Sequence, residues 1–338
     1  MGGIRIIAVM AGLCLAAIGL AGSVRAEVVT SLADGRSGHI EFQSVTPGTT
    51  LDYLRRLYAQ PRATVAGELT LPPDGIGLPA VVIVHGPGGA SKGREYAWAA
   101  RLNAWGVATF VVDSFAPRGI LQTATDQMAL STLAMSADAL NALKLLATHP
   151  RIDRQRIAVM GFAKGGNVAL NTALEPVRRA VIAGELRFAA HIAFYPACNI
   201  RSIATQVDGS PILHLHGDKD DWSLYKPCMA WMDWFRSKGA AVENKIYLGA
   251  GQGFDGDQPQ RWHPDVQVSN NCHAELDMDN YTFRRLDGAD GFKDQNDAIA
   301  YFKTCRGVGA HFGADPQARD AAIADVRQFL TQVLDLQQ

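Results

Sequence analysis

The sequence predicts an α/β protein built on a doubly wound, mostly parallel sheet with helices on both faces. Short β-branched runs recur along the chain and end in polar or glycine-rich turns, as buried parallel strands do. Segments with apolar residues at helical spacing fall between them. The chain has 338 residues and is 48% hydrophobic, enough to bury a sizeable core, and no low-complexity linker or internal repeat divides it.

Taken in order, the expected strands are "AVVIVH" (80–85), "VATFVV" (107–112), "RIAVMG" (156–161), "AAHIAFY" (189–195), "PILHLH" (211–216) and "ENKIYL" (243–248). Residues 126–148 contain no Gly or Pro and place Met128, Leu130, Leu133, Leu140, Leu143 and Leu146 near helical spacing. Further helices are expected at 94–104, 164–174, 223–238 and 316–335. In such sheets the site lies beyond the carboxyl ends of the strands, which is where the motifs below fall.

Residues 1–26 read as a cleavable signal peptide. Arg5 supplies a positive start, Ile6 to Leu20 is a nearly unbroken apolar run, and Val24-Arg25-Ala26 fits a small-x-small cleavage site. A retained anchor is the alternative, but the run is shorter than the ~20 residues a spanning helix needs. Residues 27–338 are therefore expected to form a single periplasmic or secreted domain with no stable membrane span. Losing Arg5 and Arg25 from 32 basic residues leaves 30 against 33 acidic, a net charge of −3. That balance gives no electrostatic case for nucleic acid or an anionic membrane. Four cysteines remain, Cys198, Cys228, Cys272 and Cys305, and an even number in an oxidising compartment suggests two disulfides among three connectivities. Buried free thiols are the alternative. No Cys/His spacing argues for a metal, and no cofactor motif is present.

Three motifs carry chemistry. In "RIAVMGFAKGG" a strand runs into a tight turn whose glycines, Gly161, Gly165 and Gly166, permit the bend and close helix packing. Such a turn presents its central side chain, here Ala163, to a substrate, with the N–H of Lys164 lending itself to an oxyanion hole. A phosphate loop is excluded by spacing; a purely structural turn is the bland alternative. In "HLHGDKDDWS" Asp220 follows a strand end, with Asp221 adjacent, where this architecture places a catalytic acid; an acidic surface turn would look similar. In "YLGAGQGFDGD" a glycine-bordered loop presents Gln252 where a histidine is expected. Glutamine has no nitrogen that titrates near pH 7, so it cannot serve as general base and then acid.

Together "VVIVHGPGG", "VVDSFAPRG", "RIAVMGFAKGG", "HGDKDDWSLYKPC" and "GAGQGFD" occur in the order and at the spacings of the dienelactone hydrolase family, within the α/β-hydrolase fold. The resemblance covers about residues 60–335. It implies hydrolysis of small esters or lactones by a Ser or Cys nucleophile, an Asp and a His. Those roles map to Ala163, Asp220 and Gln252, so two of the three lack the expected chemistry. In "HGPGG" the residue expected to lend an oxyanion N–H is Pro87, which has none; Gly88 or Gly89 is the replacement, and Ser114 in "DSFAPRG" is expected on the pocket wall. The disulfides expected by position are Cys198–Cys228 and Cys272–Cys305.

Three readings follow. The first is an exported hydrolase fold whose ester-cleaving triad no longer runs and whose pocket binds a small ester, lactone or related ligand. The second is an active hydrolase or lyase with a non-standard site, Asp220 or Asp221 working with a relocated histidine, His263 foremost among His85, His263, His273 and His311. Ser91, Ser114 and Ser223 are weaker substitutes for the nucleophile, and His191, His214 and His216 read as core or strand-end residues. The third is an envelope protein-interaction module using the polar stretch 261–290. Ala163 and Gln252 are mutually consistent, since losing both members of a catalytic unit costs little more than losing one.

Overall fold

The computed structural model describes residues 27–288 and 291–336; the expected signal peptide lies outside the described residues. The strands are β1 (Val28–Val29), β2 (Gly38–Val45), β3 (Arg62–Thr70), β4 (Leu78–Val84), β5 (Ala108–Asp113), β6 (Ile152–Phe162), β7 (His191–Phe194), β8 (Ile200–Ile203), β9 (Ile212–Gly217), β10 (Val242–Tyr247), β11 (Arg261–Val268), β12 (Ala274–Asp277), β13 (Thr282–Arg285) and β14 (Gly307–Phe312). Among the described residues, nine of them form one sheet in the order β1-β2-β3-β5-β4-β6-β7-β9-β10. β3 is antiparallel to both β2 and β5, while every pairing from β5 to β10 is parallel.

β4 shows why the centre is parallel. Its sequence LPAVVIV is buried at every position, so neither face can meet water and helices must cover both. Ala80, Val82 and Val84 belong to one core, and Val81 and Ile83 to the other. Of the helices α1 (Thr50–Arg56), α2 (Glu95–Ala104), α3 (Thr132–Leu146), α4 (Lys164–Asn171), α5 (Glu175–Val181), α6 (Tyr225–Ser237), α7 (Gln295–Thr304) and α8 (Pro316–Val333), α3 to α6 contribute to the first core. Trp98 and Leu102 of α2 and Ala322, Val326 and Phe329 of α8 fill the second.

Each expected strand is present. The helix expected from 126 begins at Thr132, because Ser131 caps it by accepting from the Ala134 amide, while Asp126 closes a local turn onto the Met128 amide. The antiparallel edge β2–β3 was not anticipated. Nor was the layer built by residues 261–312, where β11 pairs with β14, and β12 sits between β13 and β8. Two disulfides, Cys198–Cys228 and Cys272–Cys305, close as expected from position. The second lies inside this added layer. Among the described residues no helix is long and apolar enough to cross a membrane.

Candidate active site

The turn after β6 is under backbone strain. Ala163 has φ +49° and ψ −111°, a conformation that side-chain-bearing residues rarely adopt. The neighbouring glycines make it possible: a Cβ on Gly161 would fall 1.9 Å from the Gly165 carbonyl oxygen, and one on Gly165 would fall 2.2 Å from that of Val84. The Ala163 amide donates to Phe194 O at the end of β7, and its carbonyl accepts from the Asn167 amide, so both sides of the bend are tied down. Lys164 is the first residue of α4, where the helix leaves its leading N–H groups without internal partners.

Asp220 lies beyond the end of β9, buried at 3% exposure. Its Oδ1 accepts from the amides of Trp222 at 2.9 Å and Ser223 at 2.8 Å. His216 Nε2 lies 3.3 Å from Oδ2. Gln252, buried at 2%, faces the same carboxylate. An amide oxygen there would set acceptor against acceptor, so the amide nitrogen takes the position and donates to both oxygens, at 3.3 Å to Oδ1 and closer to Oδ2. Burial raises the Asp220 pKa, and His216 with the two backbone amides opposes the rise.

This constellation, a strained strand–helix turn, a buried carboxylate two strands away and a loop side chain bonded to it, carries the expected family order along the chain. A family model for the dienelactone hydrolase family matches residues 65–284. The chain belongs to the dienelactone hydrolase family. A curated relative, a probable 2-oxo-3-(5-oxofuran-2-ylidene)propanoate lactonase from a Bradyrhizobium species, is 30% identical over 115 residues, covering 33% of this chain and 46% of the relative. The match thus spans about half the length of that relative. Among solved structures, the thermophilic esterase 2 of the Planctomycetes species Thermogutta terrifontis aligns at 16% identity and a TM-score of 0.47, over 57% of this chain and 79% of its own. The propionate-bound form of the same esterase aligns at 16% identity and 0.47, over 57% and 81%.

The loop after β4 carries Pro87. Its carbonyl accepts from the Thr123 amide at 2.7 Å, and the Gly89 amide donates back to Gly86 O at 3.1 Å. Gly88 and Gly89 line a cavity of about 190 Å³ together with Ser91, Arg94, Gly253 and Phe312. Ser114 does not line it: that residue is fully buried, its amide donates to His85 Nε2 at 3.2 Å, and its hydroxyl makes no hydrogen bond. A larger groove of about 740 Å³, bordered by Arg154, Glu185, Arg187 and Pro211, touches none of these residues.

Lys164 turns its side chain under the 120–128 loop. Nζ donates to Gln127 O at 2.7 Å and Thr123 Oγ1 at 3.3 Å, and among the described residues no carboxylate bonds to it. Burial therefore brings its pKa down to about 7, with Asp126 opposing the fall and Arg306 adding to it. His263 sits on β11 with its ring 6.0 Å from that of Phe312 and is not among the partners of Asp220. Asp221 instead bonds His311, at 2.7 Å to Nδ1 and 2.9 Å to the backbone amide, as a half-exposed pair. The histidine that does touch Asp220 is His216, read from the sequence only as a core or strand-end residue.

Sequence reasoning also missed a buried polar cluster that anchors the Gln252 loop. Asp255 accepts from Trp98 Nε1 at 2.7 Å and from the hydroxyl of Tyr195, itself at φ +38°. Arg94, bonded to Glu95 at 2.7 Å, stacks over Phe162 and Phe312. Burial opposes its charge, but Glu95, Tyr195 and Asp255 more than offset that and raise its pKa. The signal was Asp255, three residues past Gln252, in a loop otherwise rich in glycine.

Proposed function

We propose that this family member is exported, forms one domain over residues 27–338, and binds a small ester, lactone or related ligand without hydrolysing it through an acyl-enzyme. The observations that carry the reading are the Gln252 amide bonded to the Asp220 carboxylate and the Ala163 held in the strained turn. Asp220 retains the partner geometry of a triad acid, yet the partner cannot accept a proton and residue 163 has no nucleophilic atom. In a serine protease the loss of nucleophile or base costs about a millionfold in turnover, while the rest of the site still gives roughly 10³–10⁴ over water. The N–H groups of Gly88 and Lys164 are the donors offered to a carbonyl oxygen, and Gly88 also lines the neighbouring 190 Å³ cavity, whose walls do not include Ala163, Lys164, Asp220 or Gln252. Export is supported by the two disulfides. The lactonase named among the relatives supports a lactone-like ligand class.

The test is a panel of activated esters and lactones presented to the mature protein, with product release and thermal stabilisation read in parallel. We expect stabilisation by at least one member without product above the uncatalysed rate. Rapid turnover of any member, or stabilisation by none, contradicts the reading.

A further inference from the structure

His214 and His216 alternate on β9 and project from one face, and Cys228 of α6 meets them there; all three are fully buried. One nitrogen from each ring and Cys228 Sγ lie within 4.8 Å of one another. An outer hydrogen bond determines where the His216 ring proton sits. His216 Nε2 lies 2.6 Å from the Ser223 carbonyl oxygen, which only accepts, so Nε2 carries the proton and Nδ1 a lone pair. His214 Nδ1 lies 3.2 Å from Asn244 Oδ1, and in the tautomer that donates to this oxygen Nε2 keeps a lone pair.

The two inward nitrogens, His214 Nε2 and His216 Nδ1, then face each other at 3.1 Å. In the oxidised protein a proton on His214 Nε2 makes this contact an ordinary hydrogen bond, and when that proton sits on Nδ1 instead both inward nitrogens are free to bind a cation. A tetrahedral zinc-type ion with nitrogens at about 2.0 Å holds them roughly 3.3 Å apart, close to what is seen. An outward N–H on an oxygen is also how metal-binding histidines are oriented.

The third group is bound in the Cys198–Cys228 disulfide, and the thiolate is the form of cysteine that ligates metals. We propose that reduction of Cys198–Cys228 by a dithiol opens a zinc-type cation site formed by His214 Nε2, His216 Nδ1 and Cys228 Sγ. The dithiol delivers two electrons and two protons, becoming a disulfide itself, while Cys198 and Cys228 become thiols. Metal binding then releases the Cys228 proton. Since His216 Nε2 also lies 3.3 Å from Asp220 Oδ2, occupancy acts directly on the carboxylate that holds Gln252.

Co²⁺ is the probe, read by its thiolate charge-transfer band and its tetrahedral ligand-field bands. Phosphine-reduced mature protein gives both with one equivalent, and oxidised protein gives neither. The Cys198→Ser variant frees Cys228 without reductant and without opening Cys272–Cys305, so it gives the same bands if full reduction unfolds the chain. Adding His214→Gln to Cys198→Ser weakens binding at least tenfold, and adding Asn244→Leu weakens it about 10–100-fold by removing the outer acceptor. Absence of the thiolate band in Cys198→Ser and in reduced protein, or its survival at full affinity in His214→Gln, overturns the proposal.

Discussion

Lys164 is the side chain whose surroundings most sharply change its chemistry. It is buried beside the strained turn, bonded to two neutral oxygens, and titrates at about 7 in the folded protein against 10.5 for the free group. The unfolded chain thus binds more protons across that interval, so this group makes folding more favourable as pH rises from about 7 toward 10.5. Below pH 7 the amine is charged in both states and its burial is a standing penalty. Lys164→Met removes the titration. Its gain in thermal midpoint over the parent is expected to be larger at pH 6 than at pH 9, and an equal difference at both would contradict the assignment. Gln252 makes the complementary case: Gln252→Leu leaves the buried Asp220 without its amide donor. Such an orphaned bond costs about 1–3 kcal/mol, readable as a lower denaturant midpoint.

Among the elements, the turn after β6 and the added layer differ in how they are held. The turn depends on atoms too close for any side chain, so Gly161→Ala, which would set a Cβ 1.9 Å from a carbonyl oxygen, is expected to prevent folding of the parent geometry. The layer depends on covalent closure. Cys272 and Cys305 are 33 residues apart, and opening a loop of that size costs about 2–4 kcal/mol. Cys272→Ser/Cys305→Ser should therefore lower the unfolding free energy by that amount, and an unchanged denaturant midpoint would show that the layer's other bonds suffice. Those bonds are specific: Asn199 Nδ2 donates to Cys272 O at 2.7 Å, Trp222 Nε1 to Gln267 O at 3.0 Å, and the Gln267 amide to Ala124 O at 2.7 Å. The last of these ties the layer to the loop above Lys164.

These contrasts explain what was legible. Buried strands such as β4 and β5 announce themselves by β-branched runs, and the turn by glycines at positions where nothing else fits. β2 alternates polar and apolar residues near an edge of the sheet, a weaker pattern, and β11 and β12 pair with partners distant in the chain, β14 and β8. Gln252 was legible because its loop is bounded by glycines at a fixed distance from Asp220. His216 was not, because two histidines alternating in an apolar strand look like core, and only the fold brings one of them to the carboxylate. Arg94 and Asp255 are 161 residues apart in the chain, and only the fold brings them within electrostatic reach beside Tyr195 and Trp98.

At the scale of the whole molecule, two features meet behind the same carboxylate. On one side Asp220 holds Gln252 and the loop anchored through Asp255; on the other it touches His216, which belongs to the cluster beside Cys198–Cys228. On the proposed reading, the strained turn and the buried acid are retained while residues 163 and 252 lack the nucleophile and the base. The most direct test is therefore to restore them together. Rates of ester and lactone hydrolysis by the parent, Ala163→Ser, Gln252→His and the Ala163→Ser/Gln252→His variant separate frame from chemistry. Because nucleophile and base act as a unit, each single variant should stay near the parent, and the double variant should rise by at least about 10³-fold. A parent that already matches the double variant would contradict the account and place the chemistry on groups other than residues 163 and 252.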